Sequence, residues 1–510
     1  MQDKIGNSSL SIARSSNHRH LGILIGLATA TLVVHVLLGD RYGFHRDELA
    51  TLNDARHLAW GYVAYPPVTP FFGRASLELF GTSLTGFRFF AALVDALSVV
   101  IAGLMACELG GGRYAQLLTA LTVVPFCLGA GTLMEYVSFD YFFWILTAYF
   151  VARLLRSDDP RWWIGVGCSI GLGMLTKYSI LICVAGLVVG VALTKLRRHL
   201  RSKWLWIGVA CSLLIFLPNL SWQLRHDFIS LDFLRHIHAR DVQIGRTKNF
   251  LSDQLLLTLF ALPVAVAGLY LYFFTVNGRR FQVLGWMYLI PLVLFFVLKG
   301  RGYYLEPAYP VLFAGGSTWM EQSLDKISRT WMRSTVWTAL WLGMGANILV
   351  TAAFWLPLAP INSNWWSKAV KVNGDFREEV GWPELVETIA RIHDSLPPNE
   401  RARVGILAGN YGEAGAINLY GSRYGLPTAM SGINSFWQRG YGDPPPEIVI
   451  VLGYSRTFLE RHFESCMSSG LVQNRYGVAN EETTDHAEIF VCRRLRGSWP
   501  EFWKGLRHYG

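Results

Sequence analysis

Two adjacent carboxylates, Asp47 and Glu48, follow His45 and Arg46 in the stretch from Asp40 to Pro70, DRYGFHRDELATLNDARHLAWGYVAYPPVTP, with Asp54, Arg56 and His57 just after them. A carboxylate can serve as general base for a hydroxyl or amine acceptor when it lies within hydrogen-bond reach of the proton it removes. Asp47 is expected in that role. On a helix Glu48 would point elsewhere, and it is expected to orient a neighbour or to bind a metal. The plainer alternative is a solvated loop. Against it stands the apolar run from His20 to Gly39, which ends where this stretch begins. The pair therefore sits at the mouth of a membrane helix, where carboxylates are costly to desolvate.

Other ionisable residues gather in what read as neighbouring loops. Glu135 and Asp140 could form a second acidic site, although Glu135 could equally pair with an arginine and Asp140 cap the helix that begins after it. Lys177 interrupts an apolar stretch as Leu175, Thr176, Lys177, Tyr178. It sits either at the outer turn between two spans or snorkels from one long helix. Lys299 and Arg301 are spaced by glycines and followed by Tyr303, Tyr304, Glu306 and Pro307. That pattern suits a phosphate at the membrane interface through charge-assisted bonds, or plain anchoring at a span end. His226 and Asp227 offer a metal-ligand or acid/base pair, or an ordinary polar loop contact.

The elements that must position these groups are membrane spans. The chain has 510 residues, 52% hydrophobic and only 16% charged, against about a quarter charged in soluble domains. Its mean hydropathy is +0.29. Apolar runs of roughly 15 to 22 residues recur between basic punctuation, close to the length needed to cross a bilayer. Candidate spans are 21–39, 86–107, 115–131, 137–153, 162–176, 178–194, 204–220, 254–275, 281–298, 304–320 and 334–355. The expected fold is an α-helical polytopic membrane protein of about 11–13 spans with a small α/β domain at its C-terminus. The first run is too long for a signal-peptide core and lacks a clear small-residue cleavage site, so it is read as a retained span.

Basic loops set the expected orientation. The cluster Arg14, His18, Arg19 and His20, and the loops around Arg153, Arg156 and Arg161, around Lys195 to Lys203, around Arg279 and Arg280, and around Lys326 to Arg333, belong in the cytoplasm by the positive-inside rule. The N-terminus is then inside, the Asp40–Thr85 loop outside, and everything after residue 356 outside as well, in the cytoplasmic (inner) membrane. Residues 221–250 carry Arg225, Arg235, Arg240, Arg246 and Lys248, yet alternation puts them outside. An anionic partner would explain this, as would a miscounted span. The net charge of +10 reflects these cytoplasmic cations, and no nucleic-acid-reading module is present.

Past Trp355 a linker with Pro357, Pro360, Asn362 and Asn364 leads into a region without spanning runs. The expected division is residues 1–355 as transmembrane domain and 356–510 as extracytoplasmic α/β domain. A helix is expected over Trp382–Leu396, and strands at Val404–Ala408, Glu447–Leu452 and Ala487–Cys492. Five of the seven cysteines lie in or beside apolar runs and read as small core residues. Cys466 and Cys492 could pair if the region is extracytoplasmic, or remain thiols.

The Asp47-Glu48-Leu49 segment, the Tyr65-Pro66-Pro67 turn, the blocks GLGMLTK and PNLSWQLRHDF, and KGRGYYLEPAYP, in this order, resemble the family 39 glycosyltransferases of the C-type integral-membrane superfamily. That family includes relatives of protein O-mannosyltransferases and of the lipid A aminoarabinose transferase. The motifs span roughly residues 20–320, and the tail blocks Asn410–Ala414 and Ser431–Asn434 resemble its bacterial branch. The resemblance implies transfer of a sugar from a polyprenyl-phosphate donor to a glycan, lipid or protein acceptor on the outer membrane face. It puts the family's acidic residue on Asp47, supplies cations for the leaving phosphate, and expects membrane lipid around the prenyl chain. Some members bind a divalent metal ion through Glu and His, which leaves such a cofactor open. Where aminoarabinose transferases carry a lysine before the paired prolines, this chain has Ala64 and Tyr65. The resemblance therefore gives no support to aminoarabinose as donor sugar or lipid A as acceptor. A transporter or flippase for a lipid-linked or small solute is the competing class. Internal repeats and midplane helix breaks, which such proteins show, are not evident.

Overall fold

The computed structural model describes residues 20–510; Arg14, His18 and Arg19 lie outside the described residues. The chain runs through α1 (Leu21–Leu38), α2 (Arg46–Arg56), α3 (Val68–Phe80), α4 (Leu84–Glu108), α5 (Arg113–Ala130), α6 (Tyr136–Ser157), α7 (Trp162–Met174), α8 (Ile180–Leu193), α9 (Lys203–Arg225), α10 (Ile229–Gln243), α11 (Phe250–Thr258), α12 (Leu262–Phe274), α13 (Gln282–Val297), α14 (Tyr309–Leu324) and α15 (Thr330–Trp355). Among the described residues, eight helical segments are long and apolar enough to cross a membrane, or nine if α8 and the turn after it form one span. The eight are α1, α4, α5, α6, α9, the joined segment Phe250–Phe274, Gly278–Val297 and α15. Each falls on an expected span.

The other three expected spans, 162–176, 178–194 and 304–320, form α7, α8 and α14, of 13, 14 and 16 residues. At 1.5 Å per residue they rise about 20–24 Å, short of the ~30 Å hydrocarbon core. Each packs on a neighbouring helix: α7 lies on α9, α8 on α13, and α14 on α12. Small residues allow these close crossings. A Cβ on Gly167 of α7 would lie 1.9 Å from the Gly208 carbonyl oxygen of α9, and one on Gly268 of α12 would lie 2.1 Å from that of Leu312.

Beyond α15 the chain forms a five-stranded sheet of β1 (Val404–Ala408), β2 (Ala429–Ser431), β3 (Ile448–Leu452), β4 (Phe463–Leu471) and β5 (Glu488–Leu495), in the order β2-β1-β3-β5-β4. β1 runs parallel to both β2 and β3, and β5 is antiparallel to β3 and β4. The expected strands are β1, β3 and β5, and the expected helix is Trp382–Ser395. β2 is only three residues long, and β4 is an edge strand whose side chains are mostly solvent-facing. Neither carries a buried apolar run. Cys466 and Cys492 are directly opposite on β4 and β5 and are joined by a disulfide.

One face of the sheet closes over Leu407, Val449, Val451, Phe490 and Phe502. The other face shares a core with the membrane-proximal part of the chain: Leu49 and Leu52 of α2 and Phe87 of α4 pack in one cluster with Val386, Ile406 and Ile417. α2 is thereby held between the helical bundle and the sheet.

Candidate functional site

The site begins at the first turn of α2. His45 is its N-cap, extended at φ −74° and ψ 151°. Its Nδ1 lies 3.2 Å from the Asp47 amide, and Glu48 Oε2 accepts the His45 N–H at 2.9 Å. This capping box fixes Asp47 in the first turn, where the helix dipole favours an anion. The Asp47 side chain is 45% exposed.

Glu48 takes the opposite course. It is fully buried, and its carboxylate accepts from Arg88 Nε at 2.9 Å, Arg88 Nη2 at 2.6 Å and the Met134 amide at 2.9 Å. Arg88 also pairs with Glu379 at 3.2 Å and donates to the carbonyls of Gly39 and Gly43. The adjacent carboxylates thus face different surroundings: Asp47 is open to a reactant, and Glu48 ties α2 to α4 and to the tail.

Glu135 precedes α6, with Oε1 3.5 Å from His45 Nδ1. Burial opposes charge on His45, but its bond to Glu135 and the fields of Asp47, Glu135 and Asp375 raise its pKa from 6.5 to about 10. Burial raises Glu135 to about 7, with His45 opposing and Asp47 adding to the rise. The resulting cluster holds an imidazolium between two carboxyls. Among the described residues, His45, Asp47 and Glu135 are the group with metal-ligand spacing, their ligand atoms within 4.8 Å of one another. Neutral His45 accepts the Asp47 N–H through Nδ1, and the imidazolium donates from it to Glu135. A divalent cation held by these three residues would take the place of the imidazolium proton, and no step below runs through one.

From Glu135 the network continues through Tyr136 to Lys177. The Lys177 ammonium stands 4.9 Å from the Tyr136 ring, 4.8 Å from that of Tyr304 and 5.9 Å from that of Tyr303. Its counter-ion is Asp140, with Oδ2 at 3.7 Å. Asp140 also accepts from the Ser179 hydroxyl at 2.9 Å and from Trp144 Nε1 at 3.1 Å. It lies inside α6, so it is an internal counter-ion and caps nothing. Arg301 completes the row, donating to Asp241 Oδ2 at 2.6 Å and to the Tyr303 hydroxyl at 3.2 Å. Arg240 and Arg246 each lie 3.8 Å from Asp241 Oδ1. One carboxylate thus serves three guanidiniums, and the cluster keeps a net positive charge.

Of the residues singled out in the sequence, Asp47, Glu135, Asp140, Lys177, Arg301, Tyr303 and Tyr304 form this continuous row. Two do not join it. His226 is stacked on Trp222 at 3.9 Å between ring centroids, with Nδ1 2.8 Å from the Trp222 carbonyl oxygen, a local loop contact. Lys299 is exposed at positive φ (52°), at the end of α13. Arg88, Asp241 and Tyr411 were missed. Asp241 carried a faint signal as a lone acid among the arginines of 235–246. Tyr411 comes from the tail and stands against Asp47, and burial together with that charge holds its phenol well up.

The tail grips α2 at further points. Arg46 pairs with Glu481 and lies 5.0 Å over the Tyr411 ring. Arg439 pairs with Asp54, which also accepts from the Tyr65 hydroxyl at 2.7 Å. Arg56 donates to the Asn418 carbonyl at 2.7 Å.

The chain is similar to known proteins in sequence and in fold. The sequence model of the dolichyl-phosphate-mannose-protein mannosyltransferase family matches residues 64–222. A lipid A galacturonosyltransferase of Rhizobium johnstonii, RgtD, is 26% identical over 54% of this chain and 60% of its own length. An undecaprenyl phosphate-α-4-amino-4-deoxy-L-arabinose arabinosyl transferase of Pseudomonas fluorescens is 31% identical over 32% of this chain and 31% of its own. The chain thus spans less than two thirds of either relative. The crystal structure of ArnT from Cupriavidus metallidurans bound to undecaprenyl phosphate superposes with a TM-score of 0.58 at 16% identity, covering 92% of this chain and 98% of that one. Its apo form superposes equally well. The chain has that fold, and it is a multi-pass membrane protein resembling the C-type glycosyltransferases.

Proposed function

We propose that this protein transfers a sugar from a polyprenyl-phosphate donor to an acceptor, a glycan, lipid or protein, at the outer face of the cytoplasmic membrane. The observation that carries the reading is the unbroken row from an exposed carboxylate, Asp47, through Glu135 and Tyr136 to the cations Lys177 and Arg301. Asp47 takes the proton of the acceptor hydroxyl or amine. The acceptor atom bonds to the anomeric carbon as the bond from that carbon to the phosphate oxygen breaks. The polyprenyl phosphate leaves as an anion stabilised by Lys177 and by the net positive Arg301 cluster.

The relatives support this reading: one is named for transfer from an undecaprenyl-phosphate-linked sugar, and the structural neighbour was solved with undecaprenyl phosphate bound. The disulfide between Cys466 and Cys492 fits an oxidising, extracytoplasmic side for the tail, the side on which the row would then open. The test is incubation of purified protein with radiolabelled polyprenyl-phosphate sugar and acceptor extract. Transfer is expected to fall by about 10²–10⁴-fold in Asp47→Asn, the range of a lost general base. Undiminished transfer in that variant would overturn the assignment.

A further inference from the structure

The tail sheet changes direction at β1: β2 lies on one side of it and β3 on the other, and both run parallel to it. Open α/β sheets bind ligands outside the carboxyl ends of strands at such a switch point. There the structure has a crevice of about 370 Å³, lined by Gly409, Asn410, Glu413, Gly453, Glu481, Thr484, Asp485 and His486. Its floor is built for close approach. A Cβ on Gly409 would lie 2.5 Å from the Gly453 carbonyl oxygen, and Gly453 has φ +73° with Glu413 Oε2 against its open face.

The charges around the crevice do not balance. Glu413 is 2% exposed and Glu482, just behind Asn410, is 3% exposed. Glu413 Oε2 accepts the amides of Gly409 at 2.8 Å and Asn410 at 3.2 Å, while among the described residues no hydrogen bond reaches its Oε1. Glu482 Oε1 accepts from Asn410 Nδ2 at 3.1 Å, and its Oε2 is buried with no partner. Tyr454, the residue after Gly453, also has a buried hydroxyl with no partner. The neighbouring cation, Arg46, is already shared between Glu481 and, at 3.9 Å, Glu378. Burial, with the field of Glu482 added, pushes Glu413 up to about 8, so without a ligand it is protonated near neutrality, and a bound ammonium holds it as the carboxylate. The crevice oxygens do not form a metal-ligand group among the described residues, and the volume suits a ligand of several heavy atoms.

From this geometry we infer that the crevice is a subsite for an amine carried on a hydroxyl-bearing scaffold: the ammonium meets Glu413, and the hydroxyls meet Asn410, Thr484 and Asp485. Arg46 bonds to the crevice rim at Glu481, and Tyr411, next to Asn410, stands against Asp47, so the crevice rim and the proposed base meet at the first turn of α2. Assigning that ligand to the acceptor rests on the transfer reading above; the binding itself does not.

The probe is D-glucosamine, with D-glucose as its amine-free counterpart. Saturation-transfer NMR on the full-length protein in detergent is expected to detect glucosamine, and glucose at least about tenfold more weakly, as loss of a charge-assisted bond predicts. Glu413→Gln removes the charge, and Thr484→Trp on the exposed rim fills the crevice without touching the buried core. Both are expected to abolish the preference for the amine, with Thr484→Trp also raising the acceptor KM and leaving the donor KM unchanged. Equal binding of the two sugars, or glucosamine binding undisturbed by Thr484→Trp, overturns the subsite. A wild-type protein that binds glucosamine at the crevice but transfers nothing from polyprenyl-phosphate sugars would overturn the transfer reading alone.

Discussion

Asp47 and Glu48 have neighbouring positions and similar chemistry, yet the fold gives them opposite tasks. The capping box turns one outward and commits both oxygens of the other to Arg88. The titrating partner of Asp47 is instead Glu135, raised to about 7 by burial. Below that value Glu135 is protonated; above it a second negative charge stands beside Asp47 and strengthens it as a base. Transfer at saturating substrate is therefore expected to rise with pH through about 7, and this step should be absent in Glu135→Gln. A profile unchanged by that substitution would separate Glu135 from the chemistry. Lys177 has a different signature, because in the proposed reaction it stabilises the leaving phosphate. Lys177→Gln keeps a hydrogen-bond donor beside Asp140 and loses the charge. Loss of one charge-assisted bond should raise the donor KM by about tenfold or more, with the acceptor KM unmoved in steady-state kinetics.

At the scale of elements, Arg88 is the fastener of α2, the helix that carries Asp47. The guanidinium is buried with Glu48 and Glu379, at 4%, 0% and 4% side-chain exposure. Removing a buried partner strands its counter-charges, at a cost of about 3–5 kcal/mol. Arg88→Met should therefore lower Tm markedly in a thermal melt and abolish transfer, while the double variant Arg88→Met, Glu48→Gln should recover part of the Tm. A single variant as stable as wild type would show that the triad does not hold α2. The sequence could not reveal this fastener, because an arginine inside an apolar run is indistinguishable from a snorkelling one until its partner, 40 residues upstream, is known. What could be read were elements with their own pattern: the eight long apolar helices, and β1, β3 and β5 with their buried runs. Lys177, Arg301, Tyr303 and Tyr304 were also visible, since charge and tyrosine at span ends demand an explanation. Asp241 and Tyr411 were not, because their importance comes from contacts made across the fold. The three short helices also lie on expected apolar runs, but hydropathy does not report how long each helix is.

At the scale of the molecule, the helical bundle and the tail each supply half of the setting for Asp47. Leu49 and Leu52 of α2 are fully buried in a core completed by Val386, Ile406 and Ile417 of the tail. A Cβ on Gly415 would come within 2.8 Å of the Leu49 backbone, so the helix Tyr411–Tyr420 and α2 touch main chain to side chain with no slack. Beside this apolar seam run the ties from Glu379 to Arg88, Arg439 to Asp54 and Glu481 to Arg46. A chain ending at residue 355 keeps every helix long enough to span a membrane, along with Asp47, Lys177 and Arg301. It loses the cover over α2 and exposes two leucines worth about 1.5–3 kcal/mol each when buried. Such a fragment is expected to insert into the membrane and to bind the polyprenyl phosphate, because its cation cluster is intact, but not to transfer sugar, because α2 is no longer held in place. Donor binding can be measured by fluorescence with a labelled prenyl phosphate, and transfer with the radiolabelled sugar. Supplying residues 356–510 as a separate secreted chain should restore part of the transfer, since the seam and its ion pairs need no covalent link. If the fragment transfers sugar unaided, the tail is dispensable to α2 and Arg88 with Glu48 suffices to hold Asp47.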